Sequence, residues 1–103
     1  MIVYEVNLFV RREAEAEYRA WLGAHVAQIL ALPGFTGARI LEREDPPAQD
    51  GEVALCVQYE LRDAAALDAY LREHAARMRA DGEARFGGRF RAERRVLRSL
   101  SPD

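Results

Sequence analysis

The sequence predicts an α+β fold with the element order βαββαβ, an antiparallel sheet with two helices on one face. Three observations carry this reading. Segments whose apolar residues alternate every second position open the chain, occupy its centre and close it. Two segments with helical apolar spacing separate them. Those two segments also share a phrase, "AWLGAH" from Ala20 to His25 and "AYLREH" from Ala69 to His74, and the chain's two histidines close the two copies.

Each element has its own signal. In "IVYEVNLFV" (Ile2 to Val10) Ile2, Tyr4, Val6, Leu8 and Val10 point one way and Val3, Glu5, Asn7 and Phe9 the other, which is a strand. From Glu13 to Leu32 the spacing turns helical, with Tyr18, Leu22, His25 and Ile29 in one stripe beside Trp21 and Val26. "LPGF" stops this helix, because Pro33 disfavours helical geometry at Leu32 and Gly34 permits a reversal. "TGARILERE" (Thr36 to Glu44) and "EVALCVQYEL" (Glu52 to Leu61) read as a hairpin around the turn "DPPAQDG" (Asp45 to Gly51). Asp63 caps a second helix from Ala64 to about Asp81. Gly82, Gly87 and Gly88 are expected to break that helix. "RFRAERRVLRS" (Arg89 to Ser99) forms the last strand, so residues 1–99 make one domain and residues 100–103 a loose tail.

Two βαβ halves in this order constitute the ferredoxin-like arrangement. The shared phrase fits its internal symmetry: sliding the first helix by the 49 positions from His25 to His74 lays Trp21 on Tyr70, Leu22 on Leu71 and Ile29 on Met78. The two histidines are therefore expected to occupy equivalent places, each on the sheet-facing side of its helix and shielded from solvent.

Composition bounds the function. A chain of 103 residues buries about two thirds of its unfolded surface, so a second copy has apolar surface to cover. The formal net charge of −2 gives no overall attraction to nucleic acid. No stretch approaches the roughly 20 apolar residues that span a bilayer, so no membrane association is expected. A lone Cys56 and an opening "MIVYEVNLF" without signal-peptide character point to a reduced, cytoplasmic setting.

One face of the sheet invites dimerisation. The apolar faces of strands one and three receive the helices, leaving Val3, Glu5, Asn7, Phe9, Ala54, Cys56, Gln58 and Glu60 on the other side. That mixture is too apolar for water and too polar for a dry core. Two copies pairing sheet to sheet enclose it as a partly polar barrel interior, and a homodimer is expected.

The runs "IVYEVNLFV", "AWLGAHV…LPGF", "CVQYELRD" and "LDAYLREHAARMRADGEARFGGRF" resemble a family of small bacterial proteins, without assigned chemistry, in the dimeric α/β-barrel superfamily. The likeness covers about Ile2 to Leu97 and implies the fold and the dimer. More distant members of that superfamily are antibiotic-biosynthesis-type monooxygenases that need no cofactor, haem-degrading monooxygenases, and small cyclases or isomerases. Asn7 resembles the strand asparagine of the haem-degrading group, and Tyr70 sits near that group's helix tryptophan. His74 follows Tyr70 by only four residues, however, whereas that group's histidine lies well beyond its tryptophan. No haem or other cofactor is expected.

The candidate catalytic residues are His25, His74, Glu5 and Glu60. A neutral imidazole acts as a base near pH 7. Glu5 and Glu60 share the open face on neighbouring strands, where burial and mutual repulsion are expected to raise at least one pKa. The candidate ligand-binding residues are Asn7 and Gln58 on that face. The resemblance adds Trp21 and Tyr70, since ligands in the superfamily enter between sheet and helices. Two histidines without a third ligand make a poor zinc site, so no metal is expected. Cys56 lacks an adjacent base and reads as packing. The arginine-rich run from Arg77 to Arg98 reads as a solvated face, because Glu5 and Glu60 on the open face would repel phosphate.

Two functions of different class follow. The first is a small-molecule-binding or accessory dimer that takes a small apolar or aromatic ligand. The second is a cofactor-independent monooxygenase, cyclase or isomerase acting on an aromatic or polyketide-like substrate. A continuous cavity of several hundred cubic ångströms reaching a histidine or glutamate favours the enzyme, whereas a filled interior favours an interaction role.

Overall fold

A computed structural model describes residues 1–100; residues 101–103, most of the tail expected over 100–103, lie outside the described residues. The elements are β1 (Ile2–Arg11), a 3-10 turn (Arg12–Ala14), α1 (Glu15–Leu30), β2 (Phe35–Glu42), β3 (Glu52–Leu61), α2 (Ala64–Glu73), α3 (Ala75–Phe86) and β4 (Phe90–Arg98). The strands form one sheet in the order β2-β3-β1-β4, with every neighbouring pair antiparallel. This is the ferredoxin-like βαββαβ topology, with the second helical element in two pieces.

Alternation along the strands sets the core. Tyr4, Leu8 and Val10 of β1 and Val53, Leu55, Val57, Tyr59 and Leu61 of β3 are buried under the helices. α1 brings Tyr18, Leu22, Val26 and Ile29 down onto them, spaced by three or four residues so that they form one stripe. Glu15 and Glu17 sit in its first turn, where the helix dipole favours negative charge. After α1 the chain reverses at Gly34, whose φ of +89° is costly for any other residue. A Cβ there would also stand 2.5 Å from that of Ala66, so α2 lies directly against the turn. Asp63 caps α2 by accepting from the Ala66 backbone N–H at 2.9 Å.

The second helical segment corrects the sequence reading. It breaks at His74 (φ −129°, ψ −28°) and then continues to Phe86, through Gly82. The break lets each piece turn its own stripe to the sheet: Ala66, Leu67 and Tyr70 from α2, then Ala75, Met78, Gly82 and Phe86 from α3. Leu71 is consequently turned out and 41% exposed. Gly82 does not end the helix because its missing side chain serves packing. A Cβ on it would lie 3.0 Å from Cη2 of Trp21.

The sheet's other face carries no helix. There β1 and β3 align Glu5 with Gln58 and Asn7 with Cys56, while β4 aligns Arg95 with Glu5. Leu41 of β2 and Leu97 of β4 flank this strip and are 40% and 37% exposed. Phe9 is buried here by guanidinium groups, with Arg91 4.0 Å and Arg43 5.2 Å from its ring centroid.

Candidate functional site

The stripe of α1 is not packed flat against the sheet. A cavity of about 280 Å³ lies between α1, α2, α3 and the helix-facing side of the sheet. It explains why Val6, at the centre of β1, is only half-buried although its neighbours on the same face are covered. Aromatic rings make much of the wall: Tyr4 and Tyr59 from the sheet, Tyr18 and Trp21 from α1, Tyr70 from α2 and Phe90 from β4. Burial pushes the phenols of Tyr18 and Tyr59 well up, and that of Tyr70 to about 12, so all three are neutral donors near pH 7.

His25 reaches this cavity from α1, one turn after Trp21. The two rings stack, with centroids 4.4 Å apart and planes 22° from parallel. Trp21 is held in turn, because its Nε1 donates to Oδ2 of Asp81 on α3 at 2.9 Å. That bond, with help from Arg85, holds the Asp81 carboxyl below the usual carboxylate range. The Nδ1 of His25 is buried without a hydrogen-bond partner among the described residues. Burial lowers the His25 pKa, against a smaller upward pull from Asp81, so the imidazole is neutral near pH 7.

Three of the sequence candidates therefore meet at one place: His25, Trp21 and Tyr70. The others do not. His74 sits at the α2–α3 junction, where its Nδ1 lies 2.6 Å from an Arg77 nitrogen that can only donate, and it does not line the cavity. The expected equivalence of His25 and His74 holds in part: both are half-buried and each ring stacks on the aromatic four residues before it, at 4.4 Å from Trp21 and 6.5 Å from Tyr70, but only His25 lines the cavity. The helix breaks at His74, which carries that ring away from the stripe direction that His25 follows.

Glu5, Asn7 and Gln58 are on the far side of the sheet and form a network of their own. Oε2 of Glu5 accepts from Arg95 at 2.6 Å and Asn7 at 2.8 Å; Oε1 accepts from Gln58 at 3.0 Å. Gln58 accepts in turn from Arg39 at 2.7 Å. The bond from Arg95 leads in pulling the Glu5 pKa down to about 2, and burial opposes it. The expected rise through repulsion does not occur at Glu5. Glu60 is aligned with Val3 rather than with Glu5, and Arg95 answers the Glu5 charge instead.

Sequence reasoning missed Arg79, Gly82 and Arg94, all of which line the cavity. The alternation of β4 held a signal for Arg94, since Phe90, Ala92, Arg94 and Val96 share the helix-facing parity.

The family described as "Domain of unknown function (DUF4286)" matches residues 1–100. The chain belongs to this family. No curated protein matches it. Solved structures share the fold of this DUF4286 chain at low identity. SnoaB, a cofactor-independent oxygenase from Streptomyces nogalater, is 20% identical over 99% of this chain and 98% of its own, with a TM-score of 0.65. A protein described as a candidate antibiotic biosynthesis monooxygenase from Deinococcus radiodurans is 15% identical over 100% and 96%, at 0.72. A variant of MhuD, with two manganese protoporphyrin IX bound per active site, is 16% identical over 98% and 97%, at 0.70. The DUF4286 chain thus has the fold of the antibiotic-biosynthesis-monooxygenase type. Among its described residues no helix is long and apolar enough to cross a membrane.

Proposed function

We propose that this protein is a homodimer that binds a small ring-bearing molecule in the cavity between its helices and sheet. One observation carries the reading: the cavity of about 280 Å³ is walled by aromatic rings and reached by His25, whose buried Nδ1 has no partner among the described residues. An unpaired buried nitrogen costs about 1–3 kcal/mol, a cost that a ligand hydroxyl or carbonyl would remove. The volume is at the low end of the range for ligand sites and suits one or two fused rings.

The dimer rests on the uncovered sheet face. Glu5 is already supplied with three donors, so a second copy can cover it without stranding a charge. Leu41 and Leu97 provide apolar surface on either side. Cys56 on the same face is a free thiol, pushed up by burial and by the Glu5 carboxylate, which suits a reducing, cytoplasmic setting.

Calorimetric titration with 2-naphthol, a neutral bicyclic phenol, tests the pocket. Saturable binding is expected, and Ala92→Phe, which fills the cavity from β4, should abolish it. Absence of binding, or binding indifferent to Ala92→Phe, would overturn the proposal.

The neutral His25 favours a second reading in which the ligand is a substrate. A base beside bound, enolisable carbon is what a cofactor-independent monooxygenase, cyclase or isomerase of aromatic or polyketide-like compounds requires. Exchange of the α-protons of 2-tetralone into D₂O, followed by NMR, should be accelerated by the protein and not by His25→Phe. Equal rates with both proteins would remove this reading and leave the binding function standing.

A further inference from the structure

The cavity wall has a second polar element, opposite in character to the aromatic rings. Arg79 of α3 and Arg94 of β4 both line it. Among the described residues six of the other thirteen arginines are answered by acids within 4.0 Å, for example Arg19 by Glu15 and Glu42, Arg85 by Asp81, and Arg95 by Glu5. Among the described residues neither Arg79 nor Arg94 has such a partner within 4.0 Å. Arg79 instead donates to the hydroxyl of Tyr4 at 2.9 Å, and Tyr4 is 4% exposed. Because that oxygen accepts from Arg79, its own proton is left to donate elsewhere. Arg94 stands opposite Val6 on the neighbouring strand, and both side chains line the cavity.

From this arrangement, and resting on the ligand-binding reading above, we infer that the natural ligand is an aromatic carboxylate whose anionic end is held by Arg94 and the Tyr4–Arg79 pair. The ring lies among Trp21, Tyr59 and Tyr70, and His25 meets a polar substituent on it. The charge count selects a monoanion. Glu83 lines the same cavity, so two guanidinium groups and one carboxylate leave a net charge of +1 for the ligand to neutralise. A doubly charged phosphate would leave an excess negative charge beside Glu83. A guanidinium also matches the planar, two-oxygen edge of a carboxylate.

Paired titrations of 2-naphthoate and 2-naphthol decide the matter, because the two probes share a ring system and differ in charge. Wild-type protein should bind the carboxylate about tenfold more tightly than the phenol. That preference should shrink in high salt, because both guanidinium groups are solvent-accessible. Arg94→Gln should remove the preference while naphthol binding persists, Arg94→Lys should keep part of it, and Arg62→Gln, outside the cavity, should change nothing. Arg94 is exposed on an edge strand, so its replacement does not threaten folding. Equal affinity of wild-type protein for both probes, or a preference that survives Arg94→Gln, would overturn the inference and leave the pocket intact. Failure of both probes to bind would overturn the pocket and the inference together.

Discussion

Nε of Arg95 lies 2.6 Å from Oε2 of Glu5, so an exposed guanidinium on β4 secures a β1 carboxylate that is only 3% exposed. The pair turns a residue that would burden the open sheet face into one that stabilises it, provided it stays ionised.

Acid stability follows from that pair. The Glu5 pKa falls from 4.5 to about 2 on folding. Because the folded value is depressed, the stabilisation is fully present above 4.5 and is lost as the pH falls through about 2. Glu5→Gln should therefore cost about 2 kcal/mol at pH 7, after allowance for the exposure of Arg95, and very little near pH 2. Urea unfolding of both proteins at the two pH values measures this, and an equal gap at both would contradict it.

His25→Phe should stabilise the protein while damaging its site. Phenylalanine keeps the stack on Trp21 and removes the unpaired Nδ1. A gain of about 1 kcal/mol, or roughly 4–8 °C in Tm, is expected. The folded pKa of His25 lies below 6.5, so below that pH the unfolded chain takes up a proton that the folded one resists. The advantage of His25→Phe should therefore widen as the pH falls below 6.5, and thermal melts across that range would show it.

Gly82→Val places a branched side chain where a Cβ alone would stand 3.0 Å from Trp21 Cη2. Trp21 cannot retreat without leaving Asp81 or His25. A loss of about 2 kcal/mol is expected, with a shift in the emission of the chain's single tryptophan. Unchanged emission would mean that the indole yields at no expense.

Replacing Leu41 and Leu97 together by Glu should dissociate the proposed dimer without unfolding the chain, since both side chains are more than a third exposed in the single protomer. Sedimentation velocity should show a mass halved relative to wild type, with the far-UV circular dichroism unchanged. A wild-type protein already at the mass of one chain would refute the dimer.

The fold was legible because its signals are local and repeated. Strand parity in β1 and β3, the Pro33–Gly34 stop and the Asp63 cap each depend on a few neighbouring residues, and all appear where the sequence puts them. The break at His74 was hidden, because "AYLREHAARM" has continuous helical spacing and only the packing of two stripes on one sheet interrupts it. Gly82 misled for a related reason. Its role is set by Trp21, 61 positions earlier, which no window around Gly82 contains. At the site the aromatics were legible as core, yet nothing local marks which core rings stop short of one another and leave a cavity. Strand parity alone places Arg94 on the helix side, but the arginines on both sides of it make the whole run resemble a solvated face.

The sheet order also governs when the protein can become itself. β1 is hydrogen-bonded on one side to β3 and on the other to β4, with pairs such as Ile2 opposite Arg98. β1 thus waits for β4, which follows it by about 80 residues in the chain, before its second edge is closed. Contacts of such long sequence separation make for slow folding. In the interval an apolar strand edge stands open on the nascent chain, an invitation to wrong partners that a holding chaperone, or prompt docking of α1, would withdraw. Once β4 has docked, the edge it offers in turn carries Arg91, Arg94, Arg95 and Arg98, a density of charge that discourages further strands from joining.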